Sequence, residues 1–153
     1  MRPALALAAM ALIAAACQPR TAAAPAPSSG PGDAPAGAAG PLVTTLQTAA
    51  SADSVRFTLQ VTNASQQPVT LQFSSGQSYD FTVRDGSTEV WRWSADMMFT
   101  QALRGESLAP GQTRSWSETW RPAASLRGRA LTATARLAST SHPVERTQAF
   151  RLP

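Results

Sequence analysis

The sequence has little cysteine, histidine, tyrosine or lysine, and these shortages exclude several kinds of chemistry. Its 153 residues contain one Cys, one His and one Tyr, and all 13 basic residues are arginine. A single Cys cannot form an intrachain disulfide, and one Cys with one His cannot supply the four ligands of a structural zinc site. Cys17 and His142 lie near opposite ends of the chain. The sequence therefore argues against metal hydrolases and thiol enzymes.

Long apolar runs are also scarce. The N-terminus has one early charge, Arg2, followed by thirteen uninterrupted apolar residues, Ala4 to Ala16. Thirteen helical residues at about 1.5 Å each are too short for a bilayer core of about 30 Å. One positive charge before a short apolar run is typical of a secretory signal peptide. We predict a signal peptide over residues 1–16 and export of the protein.

The signal peptide ends in a motif that suggests lipidation. The residues Ala14-Ala15-Ala16-Cys17 resemble a bacterial lipobox, with Ala14 where Leu is usual. The resemblance implies a lipoprotein in which Cys17 carries the lipid and anchors the chain to the cell envelope. Gln18 after the Cys implies the outer membrane if the host is Gram-negative. The alternative is ordinary cleavage after Ala-x-Ala, with the Cys present by chance.

A low-complexity segment follows the Cys. Of the 24 residues from Gln18 to Pro41, 18 are Ala, Pro or Gly, and none is aromatic or a large aliphatic. Such a segment cannot bury enough apolar surface to offset its ordering entropy. We predict that residues 17–41 form a disordered tether and that residues 42–153 form one domain.

The domain contains all ten aromatic residues, and its apolar residues alternate with a period of two. This pattern predicts strands with one buried face. It recurs in residues 55–62, 69–73, 79–84, 89–93, 115–120, 131–137 and 150–152. Asp85-Gly86 is a tight-turn signal, so residues 79–93 read as a β-hairpin. The sequence predicts an all-β, immunoglobulin-like antiparallel sandwich of eight or nine short strands.

Side chains in these runs have structural explanations. The alternation puts five aromatic residues in the core, namely Tyr79, Phe81, Trp91, Trp93 and Trp120. Asp80, flanked by two of them, is expected either to cap a turn or to pair with an arginine across the hairpin.

Four motifs follow one another in the domain: Gly76-Gln77-Ser78-Tyr79-Asp80-Phe81, Val90-Trp91-Arg92-Trp93-Ser94, Phe99-Thr100-Gln101-Ala102-Leu103, and Leu108-Ala109-Pro110-Gly111 with Trp120 beyond. In this order they resemble the BsuPI family of bacterial intracellular proteinase inhibitors, over roughly residues 53 to 138. The resemblance implies an immunoglobulin-like sandwich that binds and inhibits a protease. The chain departs from the family pattern after Gly128. Leu131 stands at the position where the family has a Tyr. The export signal also means that an intracellular target cannot be carried over.

An inhibitor needs an exposed loop, and residues 94–99 are the first candidate. Asp96, Met97, Met98 and Phe99 follow the Trp-rich strand, and three consecutive large apolar residues cannot all point inward. A Met at the tip suits the pocket of a subtilisin-like serine protease. Alternatively, Phe99 and one Met are core and the other Met is incidental surface. A second candidate is residues 104–107, expected to be polar and mobile, which would present Arg104 to a trypsin-like enzyme.

Other function classes fit less well. A lipid anchor, a tether and an immunoglobulin-like domain also suit an envelope binding or assembly lipoprotein with no protease target. The sequence has no phosphate-binding loop or nucleophile elbow, so no enzyme activity, metal or cofactor is predicted. The domain carries 11 Arg against 8 acids, a net charge of +3, and its Arg residues are scattered over many strands. Nucleic-acid binding is therefore not predicted.

Overall fold

The computed structural model describes residues 37–153, which form ten β-strands and two short 3-10 helices. No α-helix occurs in this range. The strands are β1 Gly37–Ala39, β2 Leu42–Ala50, β3 Val55–Asn63, β4 Val69–Phe73, β5 Tyr79–Asp85, β6 Thr88–Arg92, β7 Arg104–Leu108, β8 Thr113–Trp120, β9 Ala130–Leu137 and β10 Val144–Arg151. The 3-10 helices are Trp93–Asp96 and Ala124–Leu126.

The strands form three antiparallel sheets. Their orders are β1-β2-β3-β8, β10-β9-β5-β6 and the pair β4-β7. The two larger sheets face each other across the buried residues, as in an immunoglobulin-like sandwich. The predicted fold class is confirmed.

The core is built from the inward face of each alternating run. Phe57 on β3 lies at its centre, with ring centroids 5.9 Å from Phe81, 5.6 Å from Trp91 and 5.8 Å from Phe150. Phe81 and Trp120 are buried, as predicted. The other three predicted core aromatics pack against the core with part of each ring exposed: Tyr79, Trp91 and Trp93.

The hairpin of β5 and β6 forms as predicted, with one irregularity. Asp85 pairs with Thr88 around Gly86, whose φ of 58° suits the turn. Farther from the turn, Val83 pairs with Trp91, so the register shifts by one residue. This β-bulge directs Trp91 into the core, although a regular hairpin would turn it outward.

Three strands, β1, β2 and β7, lie where none was predicted. Residues 104–107, expected to be a mobile loop, belong to β7, which pairs with β4 from Phe73↔Arg104 to Val69↔Leu108. Strand β1 pairs with β2 inside the range assigned to the tether, so pairing begins before the predicted boundary at residue 42. Backbone hydrogen bonds hold β1 and β7 without an apolar alternation. Strand β2 buries Leu42, Thr44 and Leu46, and the polar Thr44 interrupts the apolar period in the sequence.

The predicted signal peptide, Cys17 and the first part of the tether, residues 1–36, lie outside the described residues. Within residues 37–153, no helix has the length and apolar character needed to cross a membrane.

Candidate functional site

The segment between the first 3-10 helix and β7 contains the exposed apolar residues of the domain. We call residues 97–103 the contact loop. Met98 is 99% exposed, Leu103 is 87% exposed and Met97 is 48% exposed, and no other large apolar residue with a described side chain is as exposed. Asp96, at the end of the 3-10 helix, is also exposed. Both methionines therefore point to solvent, whereas the alternative interpretation had put one in the core.

Asp80 holds the chain segment that leads into the contact loop. This carboxylate lies on β5 and is largely buried. It accepts hydrogen bonds from the Ser94 backbone N–H at 3.3 Å, from Ser94 Oγ at 2.8 Å and from Arg92 Nη1 at 2.8 Å. The predicted pairing of Asp80 with an arginine across the hairpin is thus confirmed, and Ser94 is a second partner that was not foreseen.

Arg92 joins Asp80 to a second carboxylate. Its Nε and Nη2 donate to Glu89 at 3.0 and 2.6 Å. The hydrogen bond from Arg92 lowers the pKa of Glu89, and the same bond raises the pKa of Arg92. Arg92 is therefore held between two acids at the edge of the sheet.

Aromatic stacking supports the same side of the contact loop. The Trp93 ring stacks on Tyr79 with a centroid distance of 4.4 Å and an interplanar angle of 20°. Phe99 in turn packs against Trp93, with centroids 5.8 Å apart. The Tyr79 hydroxyl donates to Glu118 Oε1 on β8 at 2.6 Å. Burial and this hydrogen bond raise the pKa of Tyr79 above its ordinary value.

Gly76 holds the contact loop at Thr100, after the two methionines. Its backbone N–H donates to the carbonyl oxygen of Thr100 at 2.8 Å. A Cβ at position 76 would lie 2.8 Å from Thr100 Oγ1 and 3.4 Å from the Thr100 nitrogen. Only glycine allows this approach, because a β-branched Thr side chain has few other rotamers. Met97 and Met98 therefore lie on a short span with a fixed point on each side.

Arg104, the second candidate contact residue, supports the loop before β5. Its guanidinium lies 4.2 Å above the Phe73 ring. It donates to the carbonyl oxygens of Ser75 at 3.2 Å and Gly76 at 3.3 Å, and to Ser78 Oγ at 2.5 Å. Its donors are thus engaged with the segment that holds Thr100, so Arg104 is the weaker candidate for contact with a protease.

Sequence reasoning found the exposed methionines but missed the contacts that hold them. Gly76 and Ser94 both stood in the motifs, yet their partners lie 24 and 14 residues away. Leu103 was missed because it was considered only as the last residue of the Phe99-to-Leu103 motif and not as a surface residue. One signal in the sequence pointed to the bulge. A regular hairpin that turns at Gly86 would put Trp91 on the outer face, whereas the alternation of apolar residues puts it on the inner face.

The fold and this loop define a β-sandwich domain that presents a short apolar segment fixed at both ends, an arrangement suited to binding another protein. A family model described as BsuPI, intracellular proteinase inhibitor, matches residues 42–141, which is more than half of the chain. The chain belongs to the BsuPI family of proteinase inhibitors. Membership in an inhibitor family implies that the binding partner is a protein, namely a protease.

Two solved structures have distant similarity. A β-glucuronidase from Bacteroides uniformis has a TM-score of 0.41 and 13% identity, with 70% of this chain and 12% of that chain covered. A protein assigned as ApaA from Bordetella pertussis has a TM-score of 0.36 and 15% identity, with 73% of this chain and 92% of that chain covered. The chain thus spans only a small part of the glucuronidase. No curated protein matches the chain.

Proposed function

We propose that the protein inhibits a serine protease with a subtilisin-like primary specificity pocket, and that the contact loop enters the active-site cleft with Met98 in that pocket. The observation that carries this proposal is the exposure of Met98, 99%, on a span fastened by Asp80 and Gly76. Inhibition of this kind requires no catalytic group on the inhibitor.

The backbone supports a substrate-like mode of binding. Met97, which directly follows the 3-10 helix, is extended, with φ −102° and ψ 143°, as is the residue that precedes the pocket residue in a protease-bound substrate. Burying one Met side chain contributes about 1.5–3 kcal/mol. Fixing the loop before binding reduces the entropy lost on association. Cleavage is slow when the fixed ends keep the loop in the cleft.

The protease partner can be tested by titration. The full chain would be titrated against subtilisin and trypsin at micromolar concentrations, with a peptide substrate as reporter. We expect inhibition of subtilisin and not of trypsin, because Met98 is uncharged and a trypsin pocket selects Arg or Lys. No inhibition of either enzyme would count against the proposal. Inhibition of trypsin alone would favour a contact through an arginine.

We also propose that the protein is exported and anchored to the cell envelope by a lipid on Cys17. The support is the sequence Ala14-Ala15-Ala16-Cys17 at the end of a short apolar run. Labelling cells with a palmitate analogue would compare wild type with Cys17→Ser. We expect label in the wild type only, and equal label in both proteins would contradict the anchor.

The second candidate function is an envelope binding or assembly module without a protease target. It rests on the same predicted anchor and tether rather than on the contact loop. A pull-down from envelope extracts with wild type and Met98→Asp separates the two functions. Recovery of a protease by the wild type alone supports the inhibitor. Equal recovery of a non-protease envelope protein by both supports the assembly module.

A further inference from the structure

We propose that Met98 is an oxidation site for peroxides and other two-electron oxidants, and that its conversion to methionine sulfoxide releases the protease. The release rests on the proposed function, whereas the oxidation site stands on the exposure and chemistry of the residue. In residues 37–153, Met97 and Met98 are the only sulfur-containing side chains. Thioethers are readily oxidised, and exposure sets which ones react first.

The two methionines differ in access. Met98 is 99% exposed and Met97 is 48% exposed. The Met97 backbone N–H also donates to the Ser94 carbonyl oxygen at 3.1 Å, which holds that residue against the 3-10 helix. An oxidant in solution therefore reaches the Met98 sulfur from more directions, and we expect Met98 to react first.

One molecule of hydroperoxide oxidises one Met98 side chain to the sulfoxide. A sulfur lone pair attacks the terminal peroxide oxygen, an S–O bond forms and the O–O bond breaks. After proton transfer the leaving group departs as water or an alcohol. Sulfur loses two electrons and the peroxide gains them. A methionine sulfoxide reductase reverses the change, as two thiols become a disulfide and the sulfoxide oxygen leaves as water.

Oxidation of Met98 weakens binding to the protease and leaves the fold intact. An almost fully exposed side chain contributes little to the core, and the anchors Asp80 and Gly76 bind other residues. A sulfoxide in an apolar pocket buries a polar oxygen without a partner. We expect the inhibition constant to rise by about 10-fold to 100-fold on this ground.

The test treats the full chain with hydrogen peroxide as wild type, Met97→Leu and Met98→Leu. Peptide mass spectrometry measures sulfoxide at each position, thermal unfolding measures the fold, and inhibition of subtilisin measures binding. We expect sulfoxide at position 98 first, an unchanged melting temperature and weaker inhibition by the wild type and Met97→Leu. Met98→Leu should inhibit equally before and after treatment, and methionine sulfoxide reductase should restore the wild type.

Three results overturn the proposal. Met97 could oxidise before Met98, Met98 sulfoxide could leave inhibition unchanged, or Met98→Leu could lose inhibition as the wild type does. Failure of the untreated wild type to inhibit is a different result. It overturns the proposed function and the release of the protease, while the mass spectra still decide whether Met98 is the preferred oxidation site.

Discussion

The Trp93 indole stacks on the Tyr79 ring at 4.4 Å, and the Tyr79 hydroxyl donates to Glu118 on the opposite sheet. Trp93 also packs against Phe99 at the far side of the exposed methionines. A continuous set of contacts thus runs from β8 through the core edge to the base of the contact loop. The position of the loop depends on the integrity of the sandwich.

Tyr79 should make stability fall in alkaline solution. Burial and Glu118 raise the pKa of the folded protein's Tyr79 above the unfolded value of 10.0. The resulting stabilisation is fully present below pH about 10 and is lost as the pH rises above it, because the unfolded chain releases the proton first. Urea unfolding at about pH 8 and about pH 11 would measure this loss.

Tyr79→Phe is the control, because it removes the titrating group and keeps the ring. We expect it to be less stable than wild type at neutral pH by about 1–3 kcal/mol, and to lose less stability on going to alkaline pH. Tyr79 is the only Tyr of the chain, so its ionisation can be followed by absorbance. Ionisation of Tyr79 near pH 10 in the folded protein would show that burial and Glu118 do not raise its pKa.

Asp80→Asn should loosen the entry to the contact loop. The variant loses the ion pair with Arg92 and weakens the bonds from Ser94. The Arg92 side chain is 40% exposed, so solvent screening limits that ion pair to less than about 1 kcal/mol. Including the Ser94 bonds, we expect a loss of about 1–3 kcal/mol in the free energy of unfolding.

Glu89→Gln is the matched control for Asp80→Asn. It removes the other carboxylate partner of Arg92 without touching Ser94. We expect the free energy of unfolding of Glu89→Gln to be close to that of the wild type. A nonspecific protease should cleave the contact loop of this variant no faster than that of the wild type, whereas it should cleave Asp80→Asn faster. Equal cleavage rates in the Asp80→Asn variant and the wild type would argue against Asp80 as an anchor.

Gly76→Ala should displace Thr100. The new Cβ would meet Thr100 Oγ1 at 2.8 Å, and overpacking of this kind costs about 1–3 kcal/mol. The double variant with Thr100→Ala removes the clashing atom, and the nearest remaining contact is the Thr100 nitrogen at 3.4 Å. We expect a smaller loss in the double variant than the two single losses predict together. Additive losses in a double-mutant cycle would disprove the contact.

The Arg104→Met variant tests whether Arg104 stabilises the loop before β5. Met keeps an unbranched apolar stem over Phe73 but lacks the donors for Ser75, Gly76 and Ser78. We expect lower thermal stability and weaker subtilisin inhibition, and the inhibition should be lost at lower temperature than in the wild type. Unchanged stability together with lost trypsin inhibition would instead make Arg104 a contact residue.

Sequence periodicity predicted the sandwich because most strands bury one face of side chains. Val55, Phe57 and Leu59 show this directly, and all are buried. Strand β7 escaped prediction because only Leu108 of its five residues is buried and the rest is held by pairing with β4. Strand β1 is likewise defined by its pairing with β2.

The candidate site was predictable to the level of its exposed residues. A run of three large apolar residues implied that some face solvent, and Met97 and Met98 do. The anchors depend on chain segments that only the folded register brings together. The approach of Gly76 to Thr100 is one case, and the bulge that sets Arg92 on the outer face with Asp80 is another.

If Met98 enters the protease pocket, a charge at position 98 must weaken binding, and the inhibition constant of Met98→Asp for subtilisin measures this effect. Gln66→Asp is the control, since it adds the same charge to the exposed β3–β4 loop at the other end of β7. We expect Met98→Asp to weaken inhibition by about 100-fold or more and Gln66→Asp by less than about threefold. Equal inhibition by wild type and Met98→Asp would show that Met98 does not enter the pocket.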